Sequence, residues 1–428
     1  MMSRLVPKLR FKEFSGEWKE KKLGDIGNTF NGLTGKTKDD FGIGKSYIQY
    51  MQVFSNSKID TANFGLVAVK SDDKQNKVKY GDVFFTTSSE TLNEIGFSSV
   101  LTKKVKDVYL NSFCFGYRPK CLDDLVPKFS QFFFRSETVR KGIINLGQGS
   151  IRVNISKVKF LELEFYFPKK QEQQKIASCL SSLDSLIEAQ NKKVSALKQH
   201  KKGLMQQLFP AEGEREPKLR FKAFSGEWGE KMLEEIGEIS GGGVDKKTNE
   251  NERPVMLLNY MDVYNKNFIY SYDLKQQTSA NNAKIQKCNI EKGDIFFTPS
   301  SEVPNDIAKS SVAMESIING VYSYHLVRLR MFKSLDLKFR TYMFKTNSFF
   351  KIVSKLAQGS GTRYTITLPE FRSIKTLIPP SPKEQQKIAN TLSTLDSLIE
   401  AQNQQINHLK QHKKGLMQQL FVSSEVGV

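Results

Sequence analysis

The sequence has few of the residues that build disulfide frameworks, metal sites and membrane spans. It contains four cysteines, four histidines and two tryptophans in 428 residues. Cys114, Cys121, Cys179 and Cys288 show no Cys-x-x-Cys spacing, and four cysteines in so long a chain do not indicate a disulfide framework. The first residues lack the apolar core of a signal peptide, and no run approaches the ~18 apolar residues of a membrane helix. We therefore expect a cytoplasmic protein with reduced thiols.

Motifs for catalysis and for metal binding are also lacking. Residues 32–37 resemble the end of a phosphate-binding loop but have two residues between their glycines, where that loop has four. Residues 241–243 are a bare glycine run, which favours a turn. His408 and His412 lie four apart on a predicted helix, but no Glu-x-x-His pattern or acidic cluster accompanies them. The sequence thus predicts no catalytic residue and no metal site.

The charge balance points to a polyanionic partner. Lys and Arg number 65 against 45 Asp and Glu, a formal net charge of +20. A surplus of this size favours nucleic acid as the partner. The alternative interpretation is a merely basic soluble protein.

The chain contains a long internal repeat. Residues 7–18 recur as 217–228 with one change in twelve, and residues 172–209 recur as 384–421 with 30 of 38 positions identical. Such a repeat means one structural unit used twice. The predicted division is a domain over 1–168, a helical region over 169–209, a linker over 210–216, a second domain over 217–380, a second helical region over 381–421 and a tail over 422–428.

The two predicted domains differ in sequence but share α+β character. Residues 79–90 and 291–302 each place Gly-Asp before an apolar run, which reads as a turn followed by a buried strand. Residues 129–140 and 339–353 have a helical pattern. Glycine-rich turns follow at 146–152 and 357–363.

The two helical regions carry apolar residues at alternating spacings of four and three, the pattern of a coiled-coil seam. Gln190 and Lys201 continue the first series, and Gln402 and Lys413 continue the second. These polar residues either fix the register or lie at the edge of the seam with their polar ends in water. The predicted apolar seam is Ile176, Leu180, Leu183, Ile187, Val194, Leu197, Leu204, Leu208, Ile388, Leu392, Leu395, Ile399, Ile406, Leu409, Leu416 and Leu420.

The short linker predicts how the helices pair. Residues 210–216 reach at most ~25 Å, so the second domain begins near the end of the first helix. The second helix must then run back along the first. The predicted fold is therefore α+β, with two globular α/β domains separated by two long helices that form an antiparallel coiled coil with pseudo-twofold symmetry, and the domains at opposite ends.

Polar loops in the domains supply candidates for contacts with DNA bases, which require side chains such as Arg, Gln, Ser and Thr. The alternative for each is an ordinary polar turn. Basic residues at 198–202 and 410–414 either complement the helix dipole or contact a backbone phosphate. The candidate residues are Thr86, Ser88, Ser89, Gln148, Ser150, Arg152, Thr298, Ser300, Ser301, Gln358, Ser360, Arg363 and Tyr364.

The residues also carry a family resemblance over essentially the whole chain. The Glu-Gln-Gln-Lys-Ile-Ala segments that start at Glu172 and Glu384, with the Lys-Gly-Asp and Gly-Ser turns of each domain, resemble the specificity subunit of type I restriction–modification systems. The resemblance implies a split double-stranded DNA target, each half read by one domain, with the helices setting the spacer. It implies two modification (methyltransferase) subunits bound to the helices, and restriction (motor-nuclease) subunits that join them.

The resemblance further implies that this chain is not itself an enzyme and binds no cofactor. S-adenosylmethionine, ATP and Mg²⁺ are expected in the partner subunits. The repeat then has a meaning: helices stay alike because they bind two copies of one partner, and domains differ because they read different half-sites. The rival hypothesis is a coiled-coil scaffold or regulator whose domains bind other proteins. A self-contained nuclease or methyltransferase is disfavoured by the missing motifs.

Overall fold

The computed structural model describes residues 5–149, 152–332, 335–360 and 362–422. The chain divides into two compact units: residues 1–191 with 404–428, and residues 192–403. Each unit therefore contains one predicted domain, the first part of the long helix that follows it and the last part of the other long helix.

The first domain alternates short strands and short helices. Its strands are β1 Lys19–Lys22, β2 Gly27–Asn31, β3 Phe41–Ile48, β4 Gly65–Val67, β5 Val83–Thr86, β6 Ser88–Ser89, β7 Ser98–Val100, β8 Tyr109–Leu110, β9 Cys114–Pro119, β10 Gly147–Gln148, β11 Val153–Ile155 and β12 Glu164–Phe167. Its helices are α1 Leu23–Ile26, α2 Tyr50–Ser55, α3 Pro127–Phe133, α4 Glu137–Ile144 and α5 Lys157–Glu162, with 3-10 turns at Lys38–Asp40 and Leu92–Glu94.

The first domain is built around a four-stranded antiparallel sheet with the order β2-β9-β5-β7. Side chains of a strand alternate between the two faces of a sheet, so the fully buried β5 contributes to two cores. Phe85 packs in a core with Trp18 and Phe129, whereas Phe84 packs in a second core with Ile48. The predicted turn before this strand is confirmed, because Gly81 has a φ of 91°.

The first long helix, α6, spans Lys170–Leu208, and the second domain follows it. The strands there are β13 Gly229–Met232, β14 Gly237–Ser240, β15 Arg253–Leu258, β16 Phe268–Ile269, β17 Gln276–Ala280, β18 Asn289–Ile290, β19 Ile295–Phe297, β20 Ser300–Ser301, β21 Ser310–Ala313, β22 Ile317–Tyr322, β23 Val327–Met331, β24 Gln358–Ser360, β25 Arg363–Thr365 and β26 Lys375–Ile378. The helices are α7 Leu233–Ile236, α8 Tyr260–Asn265, α9 Asn282–Lys287, α10 Leu337–Met343, α11 Asn347–Leu356, α12 Leu368–Ser373 and the second long helix α13 Pro382–Gln419, with 3-10 turns at Ser271–Asp273 and Pro304–Asp306.

The second domain repeats the frame of the first with a larger sheet. The strand order is β14-β23-β19-β21-β16, beside a four-stranded sheet β17-β15-β22-β18. The buried strand β19 again serves two cores, with Phe297 on one side and Phe296 on the other. The α+β prediction is confirmed for both domains.

The helical pattern predicted in each domain is confirmed, with an interruption. Residues 129–140 and 339–353 each contain parts of two helices, α3 with α4 and α10 with α11. At the first break the Arg135 guanidinium donates to the carbonyls of Ser98 and Asn56, both at 2.7 Å. At the second break the Thr346 hydroxyl accepts from the Phe349 backbone N–H at 3.1 Å and so caps α11.

The repeated Glu-Gln pair joins each long helix to its own domain. Glu172 is 2% exposed and accepts two hydrogen bonds of 2.8 Å from the Arg10 guanidinium. Glu384 is fully buried and accepts equivalent bonds of 2.8 and 2.9 Å from Arg220. Two parallel bonds of this kind are strong and fix orientation. Part of the sequence identity between the helices therefore maintains the fold of each unit, a role that the partner-binding interpretation did not include.

The glutamine that follows each glutamate satisfies backbone groups of its domain. The Gln173 side chain accepts from Val126 N–H and donates to the carbonyls of Asp124 and Pro168. The Gln385 side chain accepts from Asp336 N–H and donates to the Pro379 carbonyl. Both glutamines are buried, so these bonds replace water at groups that must be paired.

Each long helix ends against a domain, with an aromatic residue inserted in the core. Phe421 lies 5.6 Å from Phe129 in the first unit, measured between ring centroids. Phe209 stacks on Phe339 at 5.6 Å in the second unit. Each unit thus receives the end of a helix that begins in the other half of the sequence.

Within each unit the two helical segments pair antiparallel, as predicted. In the first unit Lys413 lies opposite Asp184, with Nζ and Oδ1 2.5 Å apart, while Leu420 shares a core with Ile176. Residue numbers therefore rise on one helix as they fall on the other. In the second unit Lys201 lies 2.6 Å from Asp396, and Leu208 shares a core with Ile388.

The polar seam residues behave in two ways. Lys201 and Lys413 are 15% and 24% exposed, and their ion pairs with the facing helix support the register interpretation. The Oε1 atoms of Gln190 and Gln402 are inaccessible to solvent and have no hydrogen-bond partner among the described residues. The interpretation that places these polar ends in water therefore does not hold for the side-chain carbonyls of Gln190 and Gln402.

None of the predicted apolar seam residues is fully exposed to solvent. Those buried are Ile176, Leu180, Val194, Leu208, Ile388, Leu392, Ile406 and Leu420. Those half-buried are Leu183, Ile187, Leu197, Leu204, Leu395, Ile399, Leu409 and Leu416.

Candidate nucleic-acid interface

Two loops that are far apart in the sequence meet in each domain. In the first domain β6, β10 and β11 form a three-stranded sheet, the first small sheet, in which Ser88 is paired with Asn154 and Gln148 with Asn154. In the second domain β20, β24 and β25 form the equivalent second small sheet, which pairs Ser300 and Gln358 with Thr365. Both predicted loops of each domain therefore belong to one surface element.

Glycine is required at the turn of each small sheet. Gly149 has a φ of 120°, and a Cβ there would lie 2.4 Å from the Arg152 carbonyl oxygen. Gly359 has a φ of 138°, and its Cβ would lie 2.3 Å from the Arg363 carbonyl oxygen. Only glycine adopts this conformation without strain. Arg363 is the first residue of β25, and Arg152 directly precedes β11.

A tyrosine at the start of a short helix supports each small sheet. The Tyr50 hydroxyl donates to the Ser88 carbonyl at 3.4 Å, and the Tyr260 hydroxyl donates to the Ser300 carbonyl at 2.7 Å. Burial raises the pKa of both phenols, so they remain neutral donors. The sequence analysis missed these tyrosines, although the repeated Tyr-Met at 50–51 and 260–261 was a signal.

The candidate residues divide into exposed and buried positions. Thr86 and Thr298 are fully buried, and their hydroxyls accept from the backbone N–H groups of Phe97 and Lys309, so they position the strand. The exposed candidates are Gln148, Arg152, Gln358 and Arg363. Ser88 and Ser89 are buried, whereas Ser300, Ser301 and Tyr364 are half-buried. Ser360 pairs through its backbone with Arg363, and Ser150 lies outside the described residues.

The neighbours of the two arginines differ between the domains. The Arg152 guanidinium lies 5.6 Å from the ring centroid of Phe113, which is 54% exposed. His325 holds the position in the second domain that Phe113 holds in the first. Phe115 pairs with the buried strand at Phe85, and Val327 pairs with the equivalent strand at Phe297, so the residues two places earlier correspond. The sequence indicated neither residue, because the two domains are too dissimilar there for equivalent positions to be matched.

The Gly-Asp motif that precedes β5 and β19 has a structural role. The side chains of Asp82 and Asp294 are each 1% exposed. Asp82 accepts two hydrogen bonds from Arg118, and Asp294 accepts two from Arg330, all at 2.6–2.8 Å. Each aspartate also accepts from a backbone N–H three residues before it. A buried charge with this many partners holds the turn beneath the sheet.

Other kinds of site were searched for over the described parts of the chain. There, no group of three or more His, Cys, Asp or Glu side chains could hold a metal ion. Within the same residues no helix has the length and apolar character to cross a membrane. The four cysteines are free thiols.

The fold defines a class of protein in which two different α+β domains alternate with two copies of one long helix. The chain belongs to the family of the type I restriction modification DNA specificity domain, whose model matches residues 15–199 and 225–411. It is a specificity subunit of that system. This assignment does not favour the rival hypothesis of a coiled-coil scaffold. The recognition made from the repeated motifs is therefore confirmed.

Known relatives agree with this assignment. The chain is 28% identical over 313 residues to the type I restriction enzyme MjaVIII specificity subunit of Methanocaldococcus jannaschii, covering 71% of this chain and 70% of the relative. The fold resembles the crystal structure of an S subunit from M. genitalium, with a TM-score of 0.56 and 16% identity over 97% of this chain and 99% of that one. It also resembles a chain from a structure concerned with complex assembly and conformational transition of the type I R-M system, with a TM-score of 0.61 and 14% identity over 94% and 97%.

Proposed function

We propose that each domain binds one half of an asymmetric two-part DNA target, and that the chain thereby directs adenine methylation or restriction by partner subunits. The observation that carries this proposal is the pair of small sheets. Both stand at the same place in the repeated frame, and both have an exposed arginine at or directly before the start of a strand. Their surroundings differ, so two such surfaces would prefer different base sequences.

The exposed side chains suit contacts in the grooves of duplex DNA. Arginine pairs with two acceptors of guanine and glutamine with two groups of adenine in the major groove. Arg152 and Gln148 lie on one hairpin, and Arg363 and Gln358 lie on the other. The net charge of +20 would supply attraction to phosphates that is independent of sequence.

The long helices offer equivalent surfaces to two copies of a modification subunit. Leu186 and Leu398 occupy the same position in the repeat and are 42% and 47% exposed. A single exposed leucine is common on protein surfaces, so the support for a protein contact is its recurrence at the equivalent position of both helices. Restriction subunits would join the same assembly. S-adenosylmethionine, ATP and Mg²⁺ would be bound by these partners, and this chain would contribute recognition without catalysis.

A gel-shift assay tests the proposal. The chain, with and without its modification subunit, is titrated with DNA that carries two-part targets and with scrambled DNA of equal length. Sequence-dependent binding that weakens steeply with salt is expected, because neutralised phosphates release counterions. Equal binding to both DNAs, with and without the partner, would contradict the proposal.

Removal of either arginine should relax one half of the target. Arg152→Ala and Arg363→Ala are each expected to cost about 1–3 kcal/mol of discrimination at one base pair. Binding competition with single-base variants of the target measures this loss. A variant that weakens binding equally for every sequence would show that its arginine contacts only phosphate.

A charge at either exposed leucine should remove one modification subunit. Leu186→Asp or Leu398→Asp is expected to leave one subunit bound, and the double variant none, because each change puts a charge in one of two equivalent contacts. Light scattering after size-exclusion chromatography gives the stoichiometry. Asn191→Asp adds a charge at an exposed polar position of the same helix and should leave two. Retention of both subunits by the double variant would place the contact elsewhere.

A further inference from the structure

An exposed aromatic ring lies beside the arginine of the first small sheet. Phe113 is 54% exposed, and its ring centroid lies 5.6 Å from the guanidinium carbon of Arg152. Given the proposed function, we infer that Phe113 determines specificity, because its ring contacts the methyl group of a thymine next to the guanine that Arg152 binds. The half-site of the first domain would then contain a guanine and a thymine in neighbouring base pairs.

The backbone of Phe113 is bonded to the first small sheet. The Phe113 N–H donates to Asn111 Oδ1 at 2.8 Å, and the Phe113 carbonyl accepts from the Thr87 N–H at 2.9 Å. The Thr87 carbonyl accepts in turn from the N–H of Ile155, the last residue of β11, at 3.1 Å. Because Arg152 directly precedes β11, this row of backbone bonds fixes the positions of Phe113 and Arg152 relative to each other.

The Arg152 guanidinium keeps its hydrogen-bond donors free. Within the described part of the chain it lies over the Phe113 ring and donates to no protein group. The other described arginines of the first unit each donate to a carboxylate or a carbonyl. They are Arg10, Arg118, Arg135 and Arg140. A guanidinium attracted to a ring face retains the N–H groups at its edge, so Phe113 restrains Arg152 without using the donors that guanine requires.

The exposed ring suits a thymine methyl group better than a phosphate. In the major groove thymine is marked by its 5-methyl group, and phenylalanine is among the side chains that contact it. Successive bases of one strand lie about 3.4 Å apart along the duplex, so a ring 5.6 Å from the guanidinium carbon reaches the base pair beside the guanine. A phosphate oxygen gains nothing from an apolar ring, and the pair therefore favours base edges over the DNA backbone.

The second domain has a different residue at the position of Phe113. His325 lies there, half-buried, with its ring centroid 3.8 Å from that of Tyr324. An imidazole carries a hydrogen-bond donor and an acceptor at its edge, and so it offers a methyl group less apolar surface than a phenyl ring. The thymine contact is therefore expected in the first half of the target, and Phe113→His installs the residue of the second domain.

Uracil tests the inference, because it differs from thymine only by the missing methyl group. The first half of the target is the half that Arg152→Ala relaxes. Each thymine of that half is replaced in turn, and binding by the chain with its modification subunits is measured by fluorescence anisotropy at constant salt. At the thymine next to the guanine, wild type should lose about fourfold in affinity, the value of one buried methyl group.

Variants of Phe113 connect this loss to the ring. Phe113→Ala and Phe113→His should each bind the thymine and uracil forms of that position equally, whereas Phe113→Leu, which keeps an apolar side chain, should still prefer thymine. Phe113 is exposed and belongs to none of the hydrophobic cores described for the first domain, so these variants should fold. Uracil in the other half of the target should affect wild type and variants alike, which controls for a general loss of binding.

Two failures can be told apart. If wild type binds its two-part target but the first half has no thymine beside that guanine, the thymine contact is wrong and the proposed function stands. The same holds if Phe113→Ala and Phe113→His keep the fourfold loss with uracil. If wild type shows no preference for any two-part target, the proposed function fails first.

Discussion

Arg220→Ala is expected to destabilise the second unit by about 3–5 kcal/mol, the usual cost of removing one partner of a buried ion pair. Glu384 is fully buried, and Arg220 makes both of the side-chain bonds described for its carboxylate. The indole N–H of nearby Trp228 is buried without a partner among the described residues. Truncation of Arg220 would therefore leave an uncompensated carboxylate at the start of α13.

The first unit supplies the matched control. Arg10→Ala should destabilise that unit by about 1 kcal/mol less than Arg220→Ala destabilises the second, because the Trp18 indole N–H still donates to Glu172 at 3.3 Å. The two tryptophans allow each unit to be followed alone in urea. A Trp18→Phe background reports the second unit through Trp228, and a Trp228→Phe background reports the first. An unchanged unfolding midpoint for Arg220→Ala would show that the ion pair does not hold the helix start.

Phe421→Ala is expected to destabilise the first unit by about 3–5 kcal/mol, although the residue lies at the far end of the chain. Its ring is 4% exposed and lies near those of Phe129 and Phe133, with centroid distances of 5.6 and 6.3 Å. Truncation would leave a cavity where α13 ends against the first domain.

Phe209→Ala is the corresponding change in the second unit, where Phe209 lies 5.7 Å from Trp228. Its effect should appear in the Trp228 signal, and that of Phe421→Ala in the Trp18 signal. If Phe421→Ala instead lowered the stability reported by Trp228, the assignment of each helix end to the opposite half of the sequence would be incorrect.

The helices could be predicted because their signal is local and repeated. The spacing of Ile176, Leu180 and their repeats is visible in the sequence, and the short linker limited how the helices could pair. The break between α3 and α4 could not be predicted, because Arg135 interrupts the helix through carbonyls about 40 and 80 residues earlier in the chain. Helical periodicity carries no information about such distant partners.

The candidate site was predicted in pieces but not as a site. Ser88 and Arg152 were both named from polar turns, but the pairing of β6 with β11 joins segments over 60 residues apart, and no local pattern specifies that register. Phe113 and His325 became comparable only through strand pairing. Likewise the identity of Glu172 and Glu384 was attributed to a shared partner, because burial inside each unit is invisible in a sequence.

The central claim is that each domain reads one half of the target, and mapping of methylated adenines tests it most directly. DNA would be methylated by modification subunits in complex with this chain, and the methylated positions would be sequenced for wild type, Arg152→Ala and Arg363→Ala. We predict an asymmetric two-part motif with an unspecified spacer for wild type, one half relaxed in the first variant and the other half relaxed in the second. A single continuous motif, or relaxation of the same half by both variants, would contradict the account.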